Sequence, residues 1–244
     1  MCGRYVSVKA DEDLTEEFDA FDATDGSWLA PSYNLAPTDP VRVVVNRPLR
    51  DADGTPAKTP TRQLRVATWG LIPSWAKDRK TQSRMFNARA ESVASTNAFR
   101  RAYAKRRCLV PADGWYEWQS TDGAPKQPVY MTRADGRSLA FAGLYEFWGE
   151  GGVTITSCTI ITVPSAGALA EIHDRMPLVL PDRAWARWLD PKITDPAELL
   201  ASWDEAHGEH LELRPVATLV NKVDNNGPEL IERVEPQPEA QVLF

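Results

Sequence analysis

What most constrains this chain is the rhythm of its strand-forming runs. Nine short segments rich in β-branched and aromatic residues recur along it, at 41–46, 64–69, 107–111, 115–119, 127–132, 138–145, 153–162, 177–180 and 213–218. Turn clusters such as "STDGAP" and "EGG" lie between some of them, the punctuation that a folded sheet needs. Helical patterns are fewer. Residues 12–20 are amphipathic, and 96–106 ("TNAFRRAYAKR") combine a Thr96 cap with Phe99 and Tyr103 four apart. Residues 182–189 start at Asp182 and put Trp185 and Trp188 on one face, while 195–206 begin with Asp195-Pro196, a cap followed by proline. Strand and helix do not alternate as in a βαβ fold, and no glycine-rich phosphate loop, GxSxG elbow or HExxH helix is present. The pattern predicts an α+β fold: a single domain with a barrel-like or sandwiched, mainly antiparallel β core and a few peripheral helices. Its expected extent is 2–230, with 231–244 as a C-terminal tail. The polar stretch 48–63 ("PLRDADGTPAKTPTRQ") predicts a long hairpin loop.

With 244 residues, 43% of them hydrophobic, the chain has ample material for a core. No run approaches the ~18 apolar residues of a membrane helix, and no secretory signal pattern opens the sequence. A cytoplasmic protein without a membrane partner is expected. The three cysteines, Cys2, Cys108 and Cys158, are too few and too far apart for a disulfide framework or a cysteine zinc site. Cys108 and Cys158 sit in apolar runs and read as small buried hydrophobes. The pair His207 and His210 has no third ligand nearby, so no metal and no cofactor are expected.

Net charge is −6, but it is unevenly distributed. Residues 1–40 carry net −7, residues 41–110 net +12, and residues 111–244 net −11. Two readings follow: a positive face able to dock a polyanion, or pairing of the basic segment with the acidic ones in the fold.

Four stretches are unusually polar or aromatic: "WGLIPSW" (69–75), "FNARAES" (86–92), "PADGWYEW" (111–118) and "EIHDRMP" (171–177). Glu117 lies among Trp115, Tyr116 and Trp118. It is either an outward-facing strand carboxylate or a desolvated one whose raised pKa suits proton transfer. His173 is equally open between a structural and a catalytic histidine. Trp69 and Trp75 suit a core, or a base-stacking platform. Arg89, Arg100, Arg101 and Arg106 are either phosphate contacts or solvated charges.

Taken with "MCGRY" at the start, "YNLAPT" (33–38), "RRCLVPADGWYEW" (106–118), "AGLYE" (142–146) and "HDRMP" (173–177), these stretches make the chain resemble the SOS-response-associated peptidase family (SRAP). Members of that family shield abasic sites in single-stranded DNA. The matching segments run in order over roughly 2–222, and the polar loop at 48–63 is the main departure. The resemblance implies that Cys2, once Met1 is removed, presents an amine (pKa about 7.7–8.0) and a thiol (about 8.5), both partly reactive at neutral pH. Together they would trap the aldehyde of a ring-opened abasic sugar as a thiazolidine, closed intramolecularly. By the same resemblance His173 donates a proton to the sugar ring oxygen, Glu117 shuttles protons through imine formation, and Asn87 hydrogen-bonds the α-amine or the sugar. Arg4, Arg89 and Arg175, with Arg100 as a further candidate, would hold phosphates, and Trp75 would stack on bases. Accompanying abasic-site lyase and autoproteolytic activities are implied, with self-cleavage secondary. The expected partner is single-stranded DNA containing abasic sites, bound by a monomer that is nucleoid-associated when on DNA. Two rivals are a thiol peptidase using Cys2, His173 and Asn87, and a non-catalytic single-stranded-DNA binder.

Overall fold

A computed structural model describes residues 2–50, 53–120, 125–150, 152–194 and 211–235. Within them the β-rich runs build two sheets, as the sequence predicts for an α+β domain. In the larger sheet, β4 (Pro40–Arg50), β5 (Pro56–Trp69), β7 (Arg107–Ala112), β10 (Leu139–Glu150) and β11 (Val153–Pro164) lie in the order β11-β10-β7-β4-β5, all antiparallel neighbours. The end of β5 then returns to β11 in parallel, pairing Thr68 with Ser157 and Trp69 with Cys158, so the five strands close into a barrel. Two short strands, β6 (Asn87–Arg89) and β12 (Arg175–Pro177), dock against the C-terminal half of β11. Another, β2 (Phe21–Asp22), lies along β5.

The smaller sheet contains β1 (Tyr5–Ser7), β3 (Ser32–Leu35), β8 (Gly114–Gln119), β9 (Gln127–Arg133) and β13 (Leu211–Pro215), ordered β13-β9-β8-β1-β3. Its inner face contributes to the main core. Edge-to-face aromatic contacts run Trp69–Tyr5 (5.1 Å), Tyr5–Phe141 (6.1 Å) and Phe141–Trp115 (5.9 Å), joining the two sheets. Its outer face is covered too: Val6, Tyr116 and Tyr130 pack with Val216, Val220 and Leu230. β8 is therefore buried on both sides, which is why "GWYEW" shows no apolar–polar alternation. Trp115 faces the main core and Tyr116 the outer cluster; strand alternation returns Glu117 to the inner side. Gly114 is required here, because a Cβ would collide with the Tyr130 ring and the Met131 carbonyl.

Helices α1 (Asp11–Glu17), α2 (Arg100–Lys105) and α3 (Asp182–Leu189) are peripheral. α3 follows its predicted bounds and buries Trp185 and Trp188. The expected helix 96–106 begins only at Arg100: the Thr96 hydroxyl donates back to the Ser92 carbonyl instead of capping. The expected loop 48–63 is a second correction. It is mostly strand: Arg47 pairs with Thr61 and Pro48 with Pro60, leaving residues 51–55 to connect β4 and β5. Prolines are tolerated because this ribbon extends beyond the neighbouring strands, which pair with β4 at Val44 and Val45 and with β5 at residues 63, 64, 68 and 69. The expected helix 195–206, with His207 and His210, lies outside the described residues. Of 231–244, Arg233 and Val234 are held against β13 and the chain beyond 235 is not described.

Candidate active site

Cys2 precedes β1 and is completely buried in the main core. Its carbonyl accepts a hydrogen bond from Asn87 Nδ2 at 2.8 Å. Asn87 opens β6, and pairing with Ile160 of β11 fixes its place. Glu117 enters from β8 with only 4% of its surface exposed. Burial pushes its carboxyl up to about 7, while the positive charge of the amino terminus opposes the rise. The desolvated reading of Glu117 thus holds, and the outward-facing one does not.

Cys2 itself departs from expectation. Burial, and then the negative charge of Glu117, push its thiol well above the ordinary value, so at neutral pH it is a thiol, not a partly ionised nucleophile. His173 follows the 3₁₀ turn Gly167–Glu171. Its backbone N–H donates to the Leu169 carbonyl at 3.0 Å. Its Nδ1 lies 3.0 Å from the Arg175 N–H and 3.2 Å from the Arg175 carbonyl oxygen, so the ring accepts from the one or donates to the other according to its tautomer. Asp174 Oδ1 stands 2.9 Å from Nδ1 to receive a proton once the ring is charged. Burial, assisted by the amino-terminal charge, lowers the His173 pKa, favouring the neutral ring.

Glu117 and His173 line one small cleft of about 10 Å³, walled by Trp115, Leu169, Ile172 and Arg175. Several buried polar atoms in and around this part of the core have no hydrogen-bond partner among the described residues: Tyr5 Oη, Asn87 Oδ1, Trp115 Nε1 and Ser165 Oγ. Buried polar groups are usually paired, so their concentration here marks a place built to receive a polar reactant.

The predicted DNA-contact residues divide. Arg175 lines the cleft, but its guanidinium is bound by both Glu91 oxygens and donates to the Thr162 carbonyl, bracing β12 against β11 and the turn that follows β6. Arg4 does not line the cleft; it donates to Asn34 Oδ1 at 2.8 Å and to the Val220 carbonyl at 2.9 Å. Arg89 is exposed two residues beyond Asn87, and Arg100 is exposed at the start of α2. In "WGLIPSW", Leu71 and Ile72 are buried, the Ile72 N–H donates to Ser157 Oγ, and Trp75 is left 55% exposed. Gly70 supplies the turn with φ +118°, its N–H bonded to the Cys158 carbonyl. Sequence reasoning missed the clamp by Glu91 and the parts played by Tyr5 and Ser165. Alternation of Asn87, Arg89 and Glu91 was the one available hint of the first.

Part of the basic segment is consumed internally. Arg42 pairs with Asp11, Arg106 with Glu146, and buried Arg107 donates to the carbonyls of Trp188 and Asp190. Among the described residues no helix is long and apolar enough to cross a membrane, and no group of three or more His, Cys, Asp or Glu could hold a metal.

Fold and site together define a class: an α+β protein whose closed barrel and second sheet bury a cysteine at position 2 against a glutamate that titrates near neutrality, with an asparagine and a histidine at hand. The chain belongs to the SOS response associated peptidase (SRAP) family, whose model matches residues 1–223. It is 38% identical over 233 residues to the abasic site processing protein YoqW of Bacillus subtilis, covering 95% of this chain and 99% of that one. To the abasic site processing protein HMCES of Xenopus tropicalis it is 33% identical, over 94% of this chain and 77% of that one. A crystal structure from Bacteroides thetaiotaomicron shares the fold with a TM-score of 0.79 at 22% identity, covering 96% of this chain and all of that one.

Proposed function

We propose that this protein processes abasic sites, and does so by trapping the ring-opened sugar covalently on Cys2 in single-stranded DNA. Relatives named for abasic-site processing support the general reading. The observation that carries the chemistry is Glu117: a buried carboxyl raised to about 7, whose charge is felt by the Cys2 thiol. Near neutral pH such a group is present in both protonation states, so it can give a proton at one step and take one at the next.

With Met1 removed, the Cys2 α-amine attacks the aldehyde carbon to give a carbinolamine. Protonated Glu117 gives its proton to the hydroxyl, which leaves as water, and an iminium remains. The resulting carboxylate takes the thiol proton, and the sulfur adds to the iminium carbon to close the thiazolidine. One water is released and Glu117 ends as it began. This order explains how a thiol with a raised pKa still reacts: its proton is removed only when the electrophile is in place. As the aldehyde opens, His173 passes a proton to the sugar ring oxygen and takes one from the C1 hydroxyl, so the ring ends as it began. Asn87 fixes the Cys2 backbone through its carbonyl. Exposed Arg89 and Trp75 would receive the strand's phosphates and bases. Arg4 and Arg175 act first as braces, and would need to exchange a protein partner for a phosphate. Elimination from the iminium would give strand-nicking lyase activity as a side path, and Cys2 with Glu117 is also the pair that a self-cleavage at Met1 would use.

A thiol peptidase needs a thiolate stabilised by a cation. Burial and Glu117 both oppose that state at Cys2, which favours carbonyl capture. The decisive experiment incubates Met-processed protein with a single-stranded oligonucleotide carrying one abasic site, followed by a denaturing gel. A heat-resistant shifted band is expected. Its absence, with the DNA bound equally well whether intact or abasic, would leave only a non-covalent binder.

A further inference from the structure

Toward the other end of β11 the barrel has an open mouth. There the structure shows a second cleft of about 170 Å³, continuous with solvent and lined by residues of β4, β5, β10 and β11 and by the segment 23–27. Thr156 of β11 belongs to this mouth, whereas Ile160 and Thr162 lie beside β6 and Asn87. The separation from Thr156 to Thr162 is about 20 Å of strand. The mouth is therefore distinct from the cleft lined by Glu117 and His173, with which it shares no lining residue.

Two arginines converge in the mouth, Arg47 of β4 and Arg65 of β5. The Arg47 guanidinium lies over the Phe147 ring, 4.8 Å from its centroid, and among the described residues makes no hydrogen bond or ion pair. Stacking on an aromatic face leaves the N–H edge of an arginine available. Arg65 donates through Nε to Gln63, and its nearest carboxylate, Asp25, is largely exposed and 3.9 Å away. The two guanidinium charges repel: burial, then the charge of Arg47, lowers the Arg65 pKa. Asp25 is the one acidic residue among those lining the cleft, so two cations face one distant anion. The wall bearing it is fixed in shape. Asp25 and Gly26 have φ of 54° and 74°, and the Ser27 N–H closes the turn on the Thr24 carbonyl at 3.0 Å. Thr24 and Thr156 add hydroxyls to the lining.

We propose that the barrel mouth is a binding site for a phosphate group, held between the Arg47 and Arg65 guanidiniums. Arginine forks match phosphate oxygens, and an anion between two like charges relieves their repulsion. The phosphate could be carried by a free nucleotide or by a nucleic-acid strand; Trp28, one residue beyond Ser27 and 76% exposed, is available to stack on a base in either case. The proposal does not depend on the reading of Cys2.

The test measures binding by calorimetry and amide chemical shifts, using the full chain with inorganic phosphate, a deoxynucleoside monophosphate and a short 5′-phosphorylated oligothymidine. Arg47→Gln, Arg65→Gln and the double variant are compared, with melting in phosphate-free buffer as the control for folding. At least one phosphate probe should bind the wild type, shift amides of residues 23–27 and 153–157, and weaken about tenfold or more in each single variant. Saturation by inorganic phosphate or mononucleotide would identify a free ligand, and binding of the oligonucleotide alone would identify a strand; both support the site. No shift at these amides at millimolar probe, or equal binding by folded Arg47→Gln protein, would overturn it.

Discussion

The two ends of this barrel use ionisable groups in opposite ways. At the Cys2 end the second sheet closes over the strands, and the groups that matter are buried. Glu117 titrates near 7, the Cys2 thiol is held protonated and His173 is held neutral. At the mouth the groups are arginines at the edge of solvent, charged throughout the physiological range, with incomplete neutralisation as their distinguishing property. Chemistry that moves protons needs groups whose charge is easily changed, and desolvation provides that. Holding an anion needs charges that do not change, and rigid placement of guanidiniums provides that. One barrel offers both settings because one end is capped by an aromatic sheet and the other is not.

The comparison can be broken most severely at the thiols. Cys2→Ala should abolish the heat-stable adduct with abasic DNA, whereas Cys108→Ala and Cys158→Ala should retain it, since both are fully buried thiols on the barrel strands β7 and β11. Retention of the adduct by the first variant would remove the basis for the proposed chemistry. Next in size, Glu117→Gln should slow adduct formation by about 10³-fold and abolish a pH dependence centred near 7, as read from quenched time courses. The same variant reports on stability. The folded carboxyl titrates near 7 and the unfolded one near 4.5, so ionisation disfavours the native state progressively as pH rises between those values. Glu117→Gln should therefore match the wild type in stability below pH 4.5 and exceed it above pH 7, by roughly 3 kcal/mol at most. A difference that does not change with pH in chemical denaturation would show that Glu117 is not desolvated.

His173→Ala should lower the rate by about 10²-fold while leaving binding of intact strands intact. If strand binding disappears with the rate, His173 serves the docking surface instead. The smallest effect belongs to Arg89→Ala. Losing one phosphate contact should reduce the slope of log affinity against log salt by about 0.7 on a single strand, so the defect should be greatest at low salt and fade as salt rises. An unchanged slope would take Arg89 off the strand path. In contrast, Arg47→Gln should leave adduct formation unaltered, and a loss there would join the two ends that the structure keeps apart.

Much of the fold was legible because strand formation is local. β7, β8, β9 and β11 lie close to their predicted spans, and α3 matches its own, since β-branched runs and a paired-tryptophan face state their geometry in short windows. The ribbon 48–63 was not legible: its prolines and charges describe a loop unless the partner strand and the missing outer neighbours are known. β1 and β6 were also hidden, being three residues long and strands only by virtue of what they pair with. At the site, the identities of Cys2, Asn87, Glu117 and His173 came from motifs. Their juxtaposition rests on pairings between residues far apart in sequence, such as Tyr5 with Trp115 and Asn87 with Ile160. The fates of Arg4 and Arg175 were invisible for the same reason, because nothing near them in the chain announces Val220 or Glu91 as their partner.

By itself the sequence determined the family, the β-rich architecture and the residues capable of chemistry, because these are written in residue type and short spacing. Only the tertiary structure decided which carboxylate loses its water, which arginines are already committed and which remain unpaired. Desolvation and charge pairing are properties of surroundings assembled from distant segments, and no local window contains them.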